Sequence, residues 1–460
     1  MERFGAGADD QTGDKHIQRW GEVDEPAPMT AVSSPTPSTA QARHPRPLAS
    51  PQVTTAVFRF DFASIFWKIR LWKNPGMRAR WLAAAVLLAA TVSPSWAPGA
   101  ASRSPSSSRS PGTSSATPSL RPSAPVEFTI AATGDLLIHM PIARQAQVYA
   151  GGHGYDFRPM LAPVKPLLAA ADLAICHLET PLSPDDTNIS GYPVFNTPHE
   201  LADAIKEAGY KGCSTASNHA IDAGADGVTA TLDALDEAGI AHAGTARTRE
   251  EAEAIEVHTV KGVRIAHLSY TYGTNGIPAP ASQPWLVNVT DVARILADAA
   301  RAKQAGAQFV VVSMHWGVEY QTAPTPEQQA QAQTLLASPD VDLILGDHVH
   351  VLQPVQKIGD KYVIYGLGNL LSNQSPAAGL TPNTEDGAIL TAQVRAQNGT
   401  ASVERVTYTA TYVEIGPYTV WPTGSGPARL RSQLDASYQR TAAAETSLPG
   451  HERDAQPDPR

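Results

Sequence analysis

The chain has 460 residues and a net charge of −9, from 35 basic and 44 acidic side chains. That balance argues against a general nucleic-acid binder, which carries a basic face. Only two cysteines are present, Cys176 and Cys213, which excludes a disulfide-framework fold. Both lie in apolar, strand-like runs and read as two small buried side chains, with a bridge between neighbouring strands as the alternative.

Residues 1–55 are rich in Pro, Ser, Thr, Ala and Gln without an apolar period, the composition of disorder. Residues 56–73 mix aromatic with basic side chains and suit a membrane surface, unless translation starts later, at Met77. The segment 1–76 is therefore expected to be disordered or untranslated. Arg78 and Arg80 precede an apolar run over 81–92, which Ser93-Pro94-Ser95-Trp96-Ala97 breaks with small residues. Basic, apolar and small regions in that order describe a secretory signal or membrane anchor over 77–101. The run is shorter than the ~20 residues that span a bilayer. A Ser/Pro-rich linker follows over 102–125. The expected location is outside the cytoplasm, at the cell envelope, either anchored or secreted.

A folded domain is expected over 126–430, with a polar tail over 431–460. Apolar runs at 128–133, 172–178, 212–216, 309–314, 341–345 and 362–365 read as strands. Helical patterns lie between them at 159–171, 198–208, 226–238, 291–305 and 326–337. Gly209, Gly239 and Gly306 end three of these helices. Residues 255–259 and 263–269 read as a hairpin across Lys261-Gly262. Strand followed by helix, repeated, predicts an α/β sheet covered by helices. The runs 388–394 and 401–412 alternate without helices and suggest a second sheet packed on the first.

Ligand sites in such sheets lie at the carboxyl ends of the strands. Here those ends carry Asp135, Glu179, Asn218-His219, His315 and His348-Val349-His350, with Asp347 beside the last pair. Any one of these residues alone would read as structural; the set points to metal chemistry. Carboxylates, imidazoles and an amide oxygen suit Mn, Zn or Fe better than Ca. Two divalent ions about 3.5–4 Å apart need one carboxylate that reaches both, and Glu179 is the candidate. Asp135 and His350 would complete one ion, and Asn218, His315 and His348 the other. Such ions acidify the attacking water. His219 would face the leaving group as general acid, and Asp222 would orient it. His139, Glu319 and Asn369 are additional candidates. His177 could share a face with Glu179. His153, His199, His242, His258 and His267 are taken as non-catalytic.

These motifs together resemble the CapA family of poly-γ-glutamate capsule synthesis, whose domain is similar to the calcineurin-like metallophosphoesterases. The resemblance rests on Gly134-Asp135, Leu178-Glu179-Thr180, Phe195-Asn196-Thr197-Pro198, Ser217-Asn218-His219-Ala220-Ile221-Asp222 and Gly239-Ile240-Ala241-His242-Ala243-Gly244. It rests also on His315-Trp316-Gly317-Val318-Glu319-Tyr320, His348-Val349-His350-Val351-Leu352-Gln353 and Gly366-Leu367-Gly368-Asn369-Leu370. They span about 127–373. The resemblance implies a four-layer α/β/β/α metallophosphatase-like sandwich and a dinuclear metal centre. It also implies a role in making, exporting or anchoring an anionic polymer, poly-γ-glutamate, beside a membrane-associated synthetase complex. Three positions depart from the phosphoesterase pattern: Leu137 stands where a His follows the first Asp, Glu179 replaces an Asp, and Asp347 precedes His348. Three functions remain open: a capsule-synthesis protein, directed at an amide or not hydrolytic at all; a secreted two-metal phosphoesterase; and a metal-containing module that binds an anionic polymer without catalysis.

Overall fold

Alternation within single strands sets the architecture. In strand Val126–Leu136, Phe128, Ile130 and Ala132 enter one apolar core while Ala131 enters another. In Phe309–His315, Phe309 and Val311 join that same first core, whereas Val310, Val312 and Met314 face a third. Successive strand side chains point to opposite faces, so each strand is buried on both sides. The first core therefore lies between two sheets, and the other two lie between a sheet and helices. This is the expected four-layer α/β/β/α sandwich. It is seen in a computed structural model that describes residues 124–458. The expectations for a signal, anchor and linker, and for the start at Met77, concern residues outside the described ones.

One sheet runs, edge to edge, through Thr419–Pro422, Thr400–Glu414, Asp386–Gln397, Val126–Leu136, Leu173–Leu178, Gly212–Ser214 and Ala241–Ala243. The other runs through Glu256–Val260, Val263–Thr271, Phe309–His315, Leu343–Asp347, Lys361–Leu367 and Leu352–Ile358. Val126–Leu136, Leu173–Leu178, Gly212–Ser214 and Ala241–Ala243 pair in parallel, so their carboxyl ends share one rim. Val263–Thr271, Phe309–His315, Leu343–Asp347 and Lys361–Leu367 do the same in the second sheet.

Local signals hold in detail. The hairpin turns at Lys261 (φ 49°) and Gly262 (φ 84°), both left-handed as a two-residue turn of this type requires. Helix Pro326–Ala337 opens with a capping box between Thr325 and Gln328. The helix expected over 159–171 is two, Arg158–Leu161 and Lys165–Ala170, because Pro163 has no N–H to continue the first.

Two expectations are corrected. Cys176 and Cys213 are cross-strand neighbours in register, with Cα atoms 4.5 Å apart, and form a disulfide. The region read as a polar tail is ordered: Arg431–Glu445 is a helix against Thr400–Glu414, and Ala455–Pro457 adds a short parallel strand to the same sheet. Among the described residues no helix is long and apolar enough to cross a membrane.

Candidate metal centre

The two rims of carboxyl ends meet because glycines let backbones touch. A Cβ on Gly134 would sit 1.9 Å from the Gly368 carbonyl oxygen. That approach lets the Asp135 N–H donate to Gly368 O at 3.0 Å. Parallel register then places Asp135 beside His177. His348 (φ 93°) and His350 (φ 57°) both occupy the left-handed region. Their rings converge through this strained turn, not through strand alternation; such strain persists where the surroundings enforce it.

Asp135, Glu179 and His350 bring donor atoms together in one group, and Glu179, His315 and His348 form a second. Glu179 belongs to both: its Oε1 lies 3.8 Å from His350 Nε2 and 4.0 Å from His315 Nε2. His350 Nδ1–H donates to Asp135 Oδ2 at 3.0 Å. His315 Nε2 meets the Asn218 amide oxygen at 2.9 Å. Glu319, exposed, makes a further group with His348 and His350 at the solvent side. Six of the sequence candidates, Asp135, Glu179, Asn218, His315, His348 and His350, thus converge on one buried spot.

The others take places around it. His219 Nδ1 pairs with Asp222 Oδ2 at 2.7 Å, and that carboxylate oxygen also accepts from the Phe195 N–H at 2.8 Å. The His219 ring is therefore held by its Nδ1 side, leaving Nε2 only a long contact of 3.5 Å to Asn275. Asn369 is a support for His350: its Oδ1 lies 3.2 Å from His350 Nδ1, and its Nδ2 donates to Gln374, Thr384 and the His350 carbonyl. His139 falls outside the donor groups; its ring packs edge-on against Phe195 at 5.4 Å.

Sequence reading underweighted His177. Its Nε2 lies 3.8 Å from Asp135 Oδ1, its Nδ1 pairs with Ser214 Oγ at 2.5 Å, and its ring stacks on His315 at 4.8 Å. It stands where the strand register, not the sequence neighbourhood, brings it. Tyr272 and Tyr320 were also missed. Their rings lie 4.5 Å from His348 and 6.1 Å from His350 at the half-exposed mouth. Tyr320 closes the motif that begins at His315, whereas no sequence signal marks Tyr272 apart from the other tyrosines.

Burial dominates the electrostatics. It pushes the Glu179 carboxyl well up, against the pull of His350. It pushes Asp347 well up too, with Asp135 and Glu179 repelling its charge. Burial holds the imidazoles down: His177 and His139 to about 4, His348 to about 3, and His315 well below the ordinary value. His350 is the exception. Burial lowers it, but the Glu179 and Asp135 charges raise it to about 9. Asp135 is likewise raised by burial, yet the His350 hydrogen bond and charge bring it below the usual range.

The donors fit a metal by what they lack. Both Glu179 oxygens, His177 Nε2, His315 Nδ1, His348 Nδ1 and Asp347 Oδ1 are buried without a hydrogen-bond partner. Buried polar atoms are normally satisfied, and so many orphans in one cluster call for a bound cation. Their chemistry, nitrogen and carboxylate oxygen without thiolate, is that of a divalent metal site.

The family model described as "Bacterial capsule synthesis protein PGA_cap" matches residues 129–374. The capsule biosynthesis protein CapA of Bacillus anthracis is 30% identical over 291 residues, covering 61% of this chain and 67% of that one. The PGA biosynthesis protein CapA of Bacillus subtilis is 28% identical over 245 residues, 52% of this chain and 62% of its own. The chain thus spans about two-thirds or less of these curated relatives. A solved calcineurin-like phosphoesterase, YfkN of Bacillus subtilis, is 13% identical with a TM-score of 0.37, covering 69% of this chain and 98% of that one.

Proposed function

The chain belongs to the bacterial capsule synthesis protein PGA_cap family, and from that premise we propose that it serves poly-γ-glutamate assembly at the cell envelope through a two-ion hydrolytic centre. The observation that carries the centre is Glu179: fully buried, unpartnered at both oxygens and shared by two donor groups. Asp135, His350 and His177 surround one side of it; His315, His348 and the Asn218 oxygen surround the other.

Divalent ions held by these residues would supply Lewis-acid charge and acidify an attacking water. The protein's own groups do the rest. Glu179 would be the ligand common to both ions, since it belongs to both donor groups. Asp347, whose carboxyl burial pushes up, faces His177 Nδ1 at 3.8 Å. Asp222 fixes His219 through Nδ1, so Nε2 can deliver a proton to a leaving group at the mouth. Its neighbour Asn218 is spent on the His315 side, which suits a division between holding metal and moving protons.

Export is part of the proposal. The Cys176–Cys213 disulfide supports it, since such bonds persist in oxidising compartments. The basic-then-apolar pattern before residue 93 supports it as well. The partners proposed are the anionic polymer and a membrane-associated synthetase. The test is hydrolysis of activated and unactivated phosphate esters and γ-glutamyl amides by the purified chain, with and without added Mn, Zn or Fe. Metal-dependent turnover of either class is expected. A metal-loaded protein that binds polymer but turns over neither class would give the role to binding.

A further inference from the structure

Beyond the metal centre, one hollow of about 400 Å³ collects three arginines on a protein whose net charge is −9. Arg249 lies on the helix Arg249–Glu253, and Arg294 and Arg301 lie on Val292–Gln304. Trp285 lines the same hollow. Its indole N–H donates to the Arg247 carbonyl at 3.3 Å, which fixes the ring.

The arginines are not equivalent. Arg301 donates to Asp298 at 2.8 Å and to the Glu253 carbonyl at 2.9 Å. Arg294 donates to Asn288 at 2.7 Å and lies 3.5 Å from Asp298. Asp298 also accepts from the Tyr270 hydroxyl at 2.8 Å, so its oxygens are committed. Of the three, Arg249 enters no ion pair among the described residues; its guanidinium carbon stands 4.8 Å over the Trp285 ring. An arginine stacked on a fixed indole is pre-oriented, and it keeps its fork of N–H donors for a planar anion. Glu253 and Asp298 leave the hollow one positive charge in excess, so its balance favours an anion.

We propose that this hollow is a docking site for a carboxylate-bearing polymer, with Arg249 gripping one carboxylate in bidentate fashion against Trp285. Arg294 and Arg301 keep unused N–H groups at the rim for the next. Trp285 lies on the loop between Val263–Thr271 and Val292–Gln304, and that loop begins at Tyr272, whose ring lies 4.5 Å from that of His348. One segment therefore connects the hollow with the metal mouth. A polymer gains from such a site because a weak grip raises its effective concentration at a second one. The naming of poly-γ-glutamate as the polymer rests on the functional reading above; the anion site itself does not.

The test measures binding of the full chain to poly-γ-glutamate, to polyaspartate and to acetate, at low and high salt. Arg249→Glu changes an exposed residue outside the core. It should weaken polymer binding by about tenfold or more, as expected for losing a charge-assisted bidentate contact. Arg405→Glu, an exposed change on strand Thr400–Glu414, should leave binding unchanged. His348→Ala with His350→Ala should keep the Arg249-dependent part. Equal binding by Arg249→Glu and wild type overturns the hollow while sparing the polymer reading. Arg249-dependent binding of polyaspartate but not of poly-γ-glutamate supports the hollow and overturns the polymer reading. Equal losses in Arg249→Glu and Arg405→Glu show unspecific attraction and overturn the hollow.

Discussion

Two fully buried carboxylates without hydrogen-bond partners mark two different regions of this molecule. Glu179 sits where the carboxyl ends of both sheets meet, and Glu445 ends the helix Arg431–Glu445 at the far strands of the larger sheet. Around Glu179 stand imidazoles, a second carboxylate and an amide oxygen, all aimed inward. Among the described residues the Glu445 oxygens have no hydrogen-bond partner, and burial pushes its carboxyl up to about 8. A little over one turn earlier on that same helix, Arg440 grips buried Asp386 with two hydrogen bonds of 2.5 and 2.7 Å. The contrast shows what makes a buried charge functional. Asp386 is satisfied by a side chain, Glu445 by a proton, and Glu179 stands unpartnered among donors that suit a divalent cation.

The comparison can be broken most directly at Glu179. Glu179→Ala should lose metal and hydrolysis together, read by elemental analysis and turnover on one preparation. Retained metal would remove its role as the shared ligand. His219→Ala should keep the metal and lose about 10²–10⁴-fold in turnover, less for a substrate with a good leaving group. A variant emptied of metal would move His219 into the ligand set.

Glu445 gives the opposite kind of result, in stability. Its folded carboxyl titrates near 8, against 4.5 ordinarily. Between those values the folded chain holds a proton that the unfolded chain has released, so stability falls as pH rises through that window and levels off above it. Glu445→Gln should flatten that decline, gaining on the order of 3–5 kcal/mol over wild type at pH 8 and little at pH 4.5. Urea denaturation at the two pH values measures it; equal slopes in both proteins would show that the carboxylate finds a partner. The smallest effect is expected at Arg440, whose side chain is partly exposed. Arg440→Gln should destabilise by about 1–3 kcal/mol, because the partly exposed guanidinium can be replaced by water beside the buried Asp386 carboxylate. A loss much above that range would mean that Asp386 has no access to water.

Much of this was legible in the chain. Asp135, Glu179, Asn218, His315, His348 and His350 each follow an apolar run, and strand ends on one rim are forced together by parallel pairing. Register was not legible, and two findings depend on it. His177 sits inside the run Leu173–Leu178 and reads as an interior residue until pairing sets it against Asp135. Cys176 and Cys213 bond because their strands align them as partners. The last helix was hidden for another reason. Its buried positions, Leu434, Ser437, Thr441 and Glu445, recur at helical spacing but are mostly polar, so no apolar period appears. The left-handed turns at His348 and His350 likewise leave no mark in composition.

The central claim is that the orphaned donors around Glu179 hold divalent ions. The direct measurement is elemental analysis of the full chain purified without chelators, beside the variant His348→Ala with His350→Ala. The account predicts up to two Mn, Zn or Fe ions per wild-type chain and loss of most of them in the variant. A wild type that binds no divalent metal, even when offered these ions, would contradict it.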